Sequence, residues 1–481
     1  MNFKIPLAAI IIIIAFVVIF VYLQGGLQNN GSVVNVVKSS NPYVTEYSLP
    51  KGSNPNALLV DKTGIVWIAT SNPGILLSLD PEHDTMKNLV IEDLSHPGSK
   101  LVNSTMVWAM VQDNDGKIWF SDLGTNSIWN LEPKNGTFHQ IESKTGSPFQ
   151  MKSDNHGKIW FTTLRGDTIG LIEKSPKGAD YKISSFETSN YTTPAGIFLQ
   201  GDSVWVAGID SQNVLHYKIN QENGVVRDIS LIQKIPSDNT TLFASPTDLV
   251  VDKNSVWLTE HGTSFLTRYN LDDGSRTRYP TSQNGFHTTT LPFWIRASDN
   301  PNVFWFNEHQ GNKIGRFDLY NQTLTEYTIP SLPPDGYLTY PLNISEDLHN
   351  EKILWFSEWN TDKVAMINGH VKVPFEIITK TKQITLGPNK PDGIIDLKIN
   401  TNSNYSTSLQ LKTSSSITPT AELGNLEARF SSSAVSPTQN NNIRLFLHDG
   451  GVSPGNYTLG ISASDDFVTK TTFLNLSISN K

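Results

Sequence analysis

Four carboxylates occupy the same position relative to a recurring tryptophan, three residues after it. They are Asp122, Glu260, Glu308 and Glu358. If these positions are equivalent in the fold, the four side chains converge, and carboxylate oxygens are the ligands that Mg²⁺ and Ca²⁺ prefer. The pattern predicts a divalent-metal site. In the rival interpretation, each carboxylate bonds to a neighbouring sheet or pairs with a cation such as Lys313.

Two histidines extend this register, because His261 follows Glu260 and His309 follows Glu308. An imidazole can act as a general base near neutral pH, so His261, His309 and Glu308 are the candidates for catalysis. Adjacent residues on a strand point to opposite faces of the sheet. Glu308 and His309 can therefore line one site only where the strand has ended or bulged.

A second set of residues lies ten to thirteen positions before each recurring tryptophan, often just after a proline that begins a strand. Its members are Asn56, Trp108, Phe149, Ala195, Thr247, Phe293 and Leu342. The set is mostly apolar and aromatic and contains neither histidine nor carboxylate. We predict ligand contacts from its members other than Ala195, and from Tyr340, which precedes the proline of the last unit.

Seven repeated units of short strands must position both sets. Each unit centres on a tryptophan in an apolar run such as KIWFSD or VFWFNE, and turns rich in Asp, Asn and Gly separate the runs. The tryptophans are Trp67, Trp119, Trp160, Trp205, Trp257, Trp305 and Trp355. Their spacing of roughly 41 to 52 residues fits four strands per unit, the period of a β-propeller blade. We therefore predict an all-β fold with a seven-bladed β-propeller over residues 44–377, closed by pairing of Val44–Pro50 with the last blade.

The N-terminus predicts a membrane anchor. Residues Ile5–Leu23 carry no charge over 19 positions, enough helix to cross a bilayer core of ~30 Å. A cleaved signal peptide is the rival interpretation, but its apolar region would be shorter, about 7–15 residues. We predict a cytoplasmic tail over residues 1–4, a transmembrane signal anchor over 5–23, a flexible stalk over 24–43, and the remainder outside the cell membrane.

Glycosylation sequons agree with an extracytoplasmic location, since several fall in turns or loops where an acceptor should lie. The predicted acceptors are Asn103, Asn135, Asn190, Asn239, Asn321, Asn404 and Asn456. The net charge of −8 makes nucleic acid an unsuitable partner. The absence of cysteine excludes disulfides, thiolate metal sites and thiol catalysis.

The composition changes after Thr379: tryptophan disappears, and short alternating runs rich in Ser, Thr and Asn follow. This pattern predicts a β-sandwich over residues 378–481. Ser453–Asp465 resembles a hairpin strand of bacterial and archaeal immunoglobulin-like surface modules, which implies an immunoglobulin-like domain.

The run WFNEHQGNKIGRFDLYNQTLTEYTIP strongly resembles the repeat of virginiamycin B lyases, and KIWFTTLRGDTIGLIE is a weaker copy. The resemblance covers residues 44–377 and implies a seven-bladed propeller. The family opens the macrocyclic ester of streptogramin B antibiotics by elimination, with Mg²⁺. The positions of its two catalytic histidines hold Phe293 and Leu342 here, a site carboxylate is replaced by Trp359, and a glutamate by Tyr340. The resemblance therefore supports the fold and argues against the reaction.

Two functions remain open at this point. The first is a non-catalytic, membrane-anchored surface protein that binds a ligand, a glycan or a neighbouring protein. The second is a divergent metal-dependent lyase or lactonase, acting on a cyclic ester and using Mg²⁺ or Ca²⁺ held by the carboxylate register.

Overall fold

The computed structural model describes residues 33–71, 75–90, 106–175, 181–189, 191–237, 242–283, 285–298, 300–333, 336, 338–347, 350–402, 404–436 and 442–480. Within these ranges the regular structure is β-strand, apart from one 3₁₀ turn at Trp359–Thr361. No helix in these ranges is long and apolar enough to span a membrane. The predicted anchor, Ile5–Leu23, lies outside the described residues.

Seven antiparallel sheets make up the first part of the chain, each with an inner strand near the ring axis and three strands outside it. Three strands precede the first blade: β1 (Val33–Asn35), β2 (Lys38–Ser40) and β3 (Val44–Ser48). Blades 1 and 2 contain β4 (Pro55–Val60), β5 (Val66–Thr70), β6 (Ile75–Asp80), β7 (Thr85–Val90), β8 (Val107–Gln112), β9 (Ile118–Asp122), β10 (Ser127–Glu132) and β11 (Thr137–Glu142). Blades 3 and 4 contain β12 (Ser147–Ser153), β13 (Ile159–Leu164), β14 (Thr168–Lys174), β15 (Tyr181–Glu187), β16 (Pro194–Gln200), β17 (Ser203–Gly208), β18 (Asn213–Glu222) and β19 (Val225–Ile235). Blades 5 and 6 contain β20 (Pro246–Asp252), β21 (Ser255–Glu260), β22 (Phe265–Asn270), β23 (Arg276–Pro280), β24 (Pro292–Ala297), β25 (Val303–Glu308), β26 (Lys313–Asp318) and β27 (Thr323–Thr328).

Blade 7 closes the ring as the sequence predicts. Its inner three strands are β28 (Pro341–Asp347), β29 (Asn350–Glu358) and β30 (Lys363–Asn368), and its fourth is β3 from the start of the chain. Val44 pairs with Ile367 and Ser48 with Lys363. Each inner strand contacts the next, and β28 returns to β4. Closure leaves no unpaired edge between the first and last blades.

The recurring tryptophans pack between strands and blades because one four-stranded sheet cannot bury both of its faces alone. Six of the side chains with the largest fully buried volume are tryptophans, and Trp119, Trp160, Trp305 and Trp355 of the repeat are among them. In the first three blades the indole Nε1 also donates to an aspartate six residues earlier in the chain. These pairs are Trp67 to Asp61, 2.7 Å, Trp119 to Asp113, 2.8 Å, and Trp160 to Asp154, 3.3 Å.

Part of the predicted stalk is ordered strand, which corrects the boundary at residue 43. Strand β1 pairs with β7 at the outer edge of blade 1, and β2 pairs with β3 at the outer edge of blade 7. Lys38 forms an ion pair of 2.6 Å with Asp84 of blade 1. Residues 33–40 therefore bridge the two blades at the seam of the ring. Val33 and Val34 supply strand propensity to β1.

The C-terminal part consists of two sheets that share an apolar core. Its strands are β31 (Phe375–Thr379), β32 (Gln383–Leu386), β33 (Asp392–Thr401), β34 (Leu409–Ser415), β35 (Leu426–Phe430), β36 (Ala434–Val435), β37 (Asn442–Asp449), β38 (Gly455–Ser464) and β39 (Val468–Ile478). One sheet has the order β31-β33-β37-β35. The immunoglobulin-like identity of this sandwich stays a prediction.

The second C-terminal sheet continues directly from blade 6. Strand β39 pairs antiparallel with β27, from Thr323 opposite Thr472 to Tyr327 opposite Val468. The Phe473 ring packs against those of Tyr279 and Phe317, with centroids 5.2 and 6.2 Å apart. The propeller and the sandwich therefore form a continuous structure rather than two units joined by a linker.

Candidate functional site

The carboxylate register lies at the ends of the second strands. Asp122 and Glu260 are hydrogen-bonded locally, whereas neither carboxylate oxygen of Glu308 has a hydrogen-bond partner among the described residues. Glu260 accepts two hydrogen bonds from the Arg278 guanidinium, at 2.9 and 3.0 Å, and one from Thr267 Oγ1 at 2.6 Å. Asp122 accepts hydrogen bonds from the Gly124 N–H, at 3.0 Å, and from Thr125 Oγ1, at 2.6 Å. Both carboxylates thus stabilise their own turns and strands.

Glu308 and Glu358 are fully buried, each beside a second carboxylate. Burial, and then the neighbouring Glu326, raise the pKa of Glu308 well above its ordinary value. Burial, and then Glu46, raise the pKa of Glu358 to about 8. Each pair has one lysine beside it. Lys313 Nζ lies 4.0 Å from a carboxylate oxygen of Glu326, and Lys363 Nζ lies 2.7 Å from one of Glu46. A single cation cannot balance two buried carboxylates, so the protonated forms of Glu308 and Glu358 are favoured.

The expectation that Asp122, Glu260, Glu308 and Glu358 converge is wrong. No three His, Asp or Glu side chains among the described residues lie close enough to hold a metal ion together. The physical reason is position: these residues end second strands, one strand away from the axis, and their side chains turn into the blade. The proposed Mg²⁺ or Ca²⁺ site has no support from this geometry.

The aromatic register does meet at the axis. The ring centroids of Trp108 and Phe149 are 4.9 Å apart, and each lies within 6.4 Å of Phe293, although the three residues belong to blades 2, 3 and 6. Ala195 belongs to the same apolar cluster, and Leu342 of blade 7 is buried. Side chains from several inner strands therefore meet at the ring axis, in an area that we call the mouth.

Two polar members of this register are engaged locally instead. Asn56 is buried, and its Nδ2 donates to Ser71 Oγ at 3.2 Å. Thr247 is also buried, and its hydroxyl donates to the Ser245 carbonyl at 3.1 Å. Asn56 still lies near the axial mouth, because Ser71 Oγ also accepts a 3.2 Å hydrogen bond from Trp359 Nε1.

Both candidate histidines face this aromatic mouth. Strands β21 and β25 end at Glu260 and Glu308, so His261 and His309 lie beyond the strands. Their side chains therefore need not point to the face opposite the preceding glutamate, as they would within a strand. Their ring centroids are 5.1 Å apart, and they lie 4.9 and 4.1 Å from the Phe293 ring. Thus the histidines, but not Glu308, join the aromatic register.

Tyr340 and Trp359 complete the mouth. The Tyr340 ring is 5.2 Å from His309 and 6.2 Å from Trp359. The sequence predicts Tyr340 as a ligand contact, whereas it indicates Trp359 only as the replacement for a carboxylate. We call Trp108, His261, Phe293, His309, Tyr340 and Trp359 together the axial aromatic site.

The electrostatics of this site favour neutral imidazoles. Burial lowers the pKa of His261, and burial together with the nearby His261 lowers the pKa of His309 well below its ordinary value. His309 Nε2 and Trp108 Nε1 are buried and have no hydrogen-bond partner among the described residues. Such groups are rare in native proteins because each costs about 1–3 kcal/mol.

The C-terminal sandwich supports the loops that carry the histidines. The Ser264 N–H donates to the Pro419 carbonyl at 2.9 Å, and Ser264 Oγ accepts from the Thr290 N–H at 3.1 Å. The next residue, Leu291, accepts from the His309 N–H at 3.1 Å. This chain of contacts joins residues far apart in sequence, and no local signal could have predicted it.

The buried histidines predict a loss of stability in acid. Because the folded pKa of His309 lies below the ordinary 6.5, the unfolded chain binds more protons as the pH falls. The contribution of the neutral His309 to the free energy of unfolding is complete above pH 6.5. Below pH 6.5 it is lost, by at most about 1.4 kcal/mol per pH unit. The raised pKa values of Glu308 and Glu358 contribute a slope of opposite sign over the same range, so the histidine contribution is measured as a difference between proteins. In urea unfolding from about pH 7.5 to about pH 5, His309→Phe should lose less stability on acidification than the wild type, whereas the exposed His156→Gln should follow the wild type; equal slopes in all three proteins would contradict the assignment.

Comparisons with known proteins agree with this architecture. The sequence model of the virginiamycin B lyase family matches residues 101–394, about three fifths of the chain. No curated protein matches the chain. A crystal structure of virginiamycin B lyase from Staphylococcus aureus is 21% identical, with a TM-score of 0.52, over 68% of this chain and 98% of that one.

Two further solved structures show the same fold. A streptogramin B lyase is 22% identical with a TM-score of 0.52, over 68% of this chain and 97% of that chain. A catalytically inactive Staphylococcus aureus virginiamycin B lyase with quinupristin is 21% identical with a TM-score of 0.51, over 68% and 98%. At these identities the structures show the fold alone, and membership rests on the sequence model. The chain belongs to the virginiamycin B lyase family.

Proposed function

We propose that this protein is a non-catalytic member of its family that binds a ligand at the axial aromatic site. The observation that carries the proposal is what fills the positions at which the family resemblance implies catalytic groups. Phe293 and Leu342 occupy the two histidine positions, and both are buried in the axial region. Neither side chain can accept or donate a proton. The fold is retained while the groups for elimination are replaced.

The other two replaced positions, Tyr340 and Trp359, also favour binding over catalysis. Tyr340 and Trp359 stand where the resemblance implies a glutamate and a site carboxylate. Their rings face the mouth beside His309 and offer flat, polarizable surfaces. A mouth of this kind favours association with a ring-shaped ligand over the binding of Mg²⁺.

The chemistry of the site narrows the ligand class. The walls offer aromatic faces, and His309 Nε2 and Trp108 Nε1 offer polar groups that need partners. A compact cyclic ligand with one apolar face and a few hydrogen-bonding groups complements both features, and a sugar ring of a surface glycan meets this description. Burying the aromatic faces supplies affinity, and the polar groups orient the ligand.

A matched pair of tyrosine variants tests the binding proposal. Titrations with a panel of neutral oligosaccharides and with quinupristin, followed by tryptophan fluorescence, should identify a ligand that perturbs the axial tryptophans. Tyr340→Ala should weaken that ligand at least about tenfold, since a central aromatic contact is commonly worth 1.4 kcal/mol or more. Tyr320→Ala is the control, because Tyr320 is 85% exposed on a hairpin of blade 6. Equal affinities in the two variants would place the ligand elsewhere.

A second candidate function is a lyase with a relocated base. The observation that favours it is the pair of neutral imidazoles facing Phe293, because a neutral histidine can accept a proton. In this version His309 or His261 takes the proton next to an ester carbonyl. The developing oxyanion needs a cation or an acid, and no three His, Asp or Glu side chains in the part of the chain that the structure describes lie close enough to hold a metal ion together. The binding function is therefore preferred.

We further propose an extracytoplasmic location with an N-terminal anchor, on the strength of the uncharged run Ile5–Leu23. Four predicted glycosylation acceptors are exposed: Asn135, Asn321, Asn404 and Asn456. Asn103, Asn190 and Asn239 lie outside the described residues. The proposed partners are the membrane and a cell-surface glycan or protein.

Deleting residues 1–23 should move the protein from the membrane fraction to the soluble fraction. The reason is that no second run of comparable length and hydropathy occurs in the sequence. Fractionation of cells that express the full and shortened chains, with carbonate washing, measures the effect. Recovery of the unmodified full-length protein in the medium, with a new N-terminus near Gln24, would show that the run is a cleaved signal peptide instead.

A further inference from the structure

A cationic cleft lies where blade 6 joins the C-terminal sandwich. Two adjoining cavities of about 470 and 410 Å³ flank the joint sheet, and they share Arg316, Glu376 and Lys470. Arg316 belongs to β26 of the propeller, whereas Lys470 belongs to β39 of the sandwich. The continuous pairing of β27 with β39 fixes these two cations relative to one another. We call this feature the junction cleft.

The two shared cations have few partners of their own. The Arg316 guanidinium lies 5.7 Å from the centre of the Trp305 ring, and it makes no hydrogen bond or ion pair within the described residues. Lys470 Nζ donates one hydrogen bond, of 3.0 Å, to Thr325 Oγ1. An arginine presents five N–H donors in a planar fork that matches an oxyanion. Most of this donor capacity is unused.

The charge around the cleft is opposite to that of the whole protein. Five cationic side chains line the two cavities, against the carboxylates of Asp318 and Glu376. The cations are Arg316, Lys352, Lys372, Lys382 and Lys470. The chain as a whole carries a net charge of −8. A concentration of positive charge in a concave, partly desolvated place attracts anions far more strongly than scattered surface lysines do.

Burial disfavours the charged form of Lys470. It lowers the pKa of Lys470; among the neighbouring charges Glu376 opposes this change, Arg316 adds to it and Asp318 opposes it. An oxyanion bound beside Lys470 would favour its charged form. Asn400 and Asn402 on the sandwich side add neutral donors at the rim.

We propose that the junction cleft binds a single oxyanion group, a carboxylate, sulfate or phosphate, held between Arg316 and Lys470. The ligand spans the propeller and the sandwich and so binds the intact chain only. The inference is separate from the axial aromatic site, which lies at the ring centre.

Titration of the full chain with inorganic phosphate and with sulfate tests this proposal. In detergent and at constant ionic strength, calorimetry should show one site with a dissociation constant in the millimolar range. Lys470→Gln and Arg316→Gln should each weaken binding about tenfold or more, and Lys470→Arg should retain it. Lys134→Gln, an exposed change of the same charge on a hairpin of blade 2, should leave the affinity within about twofold.

The remaining arms separate the sources of the anion and the ways in which the proposal fails. Competition by glucuronate would identify a sugar carboxylate as a ligand of the same site. Association with phosphatidylglycerol vesicles without binding of free phosphate would overturn the proposal in favour of a membrane contact. The proposal would also be overturned if phosphate did not bind the wild type, or if Lys470→Gln and Lys134→Gln bound phosphate with equal affinity. Far-UV circular dichroism confirms that each variant is folded before its affinity is interpreted.

Discussion

A chain that ends at Lys372 should lose much of the stability of its propeller and associate with itself. Removing the sandwich leaves β27 without its partner β39 and so exposes a new strand edge on blade 6. It also uncovers the Tyr279 and Phe317 rings, against which Phe473 packs. Loss of one such aromatic contact commonly costs about 3–5 kcal/mol, and an open apolar edge invites pairing between chains.

Thermal unfolding and size-exclusion chromatography measure this effect. We expect a fall in Tm of about 10 °C or more relative to a chain of residues 33–481, together with dimers or larger species. A shortened chain in which Thr323 and Thr325, which pair with β39 in the full chain, are replaced by lysine is a useful control, because charged edge residues should restore the monomer without restoring Tm. A monomeric truncated chain with unchanged Tm would show that the junction contributes nothing to the propeller.

The sequence predicts the ring because its signal is local and repeated. A tryptophan in an apolar run, followed by a turn and another strand, recurs seven times, and each copy is interpretable by itself. Ring closure by Val44–Pro50 was also predictable, since that segment resembles a fourth strand that stands out of phase. The bridging strands at residues 33–40 were missed because Gly, Ser and Asn around them suggested a stalk.

Contacts between distant segments account for most of what the sequence could not predict. Nothing around Thr323 indicates that its strand pairs with residue 472, or that Lys470 would lie beside Arg316. The junction of propeller and sandwich, and the cleft beside it, follow from that single pairing.

The histidines of the register lie at the axis, whereas the carboxylates do not, and the reason is structural. Glu308 is the last residue of its strand and turns into blade 6, next to Glu326. His309 lies one residue further, beyond the strand, and its ring reaches Phe293 at the axis. The four carboxylates do occupy equivalent positions at the ends of second strands, but a one-residue difference decides which side chain faces the axis.

Loss of the family's chemistry is the central claim, and we expect streptogramin B to remain intact. The elimination needs a base beside the ester carbonyl and a cation or acid for the developing oxyanion. Phe293, Leu342 and Trp359 supply neither, Tyr340 is protonated near neutral pH and is therefore no base, and Glu260 and Glu308 are engaged or buried within their blades. We therefore expect no detectable ring opening under conditions in which a virginiamycin B lyase opens the antibiotic.

The most direct measurement is the fate of quinupristin incubated with the purified protein and Mg²⁺, followed by chromatography and fragment mass spectra. The ring-opened product is an isomer, so retention and fragmentation identify it, and a virginiamycin B lyase serves as the positive control. The binding account predicts intact cyclic antibiotic at all times, with the wild type, Tyr320→Ala and His309→Ala alike. Ring opening by the wild type and Tyr320→Ala, abolished by His309→Ala, would contradict it and establish His309 as a relocated base.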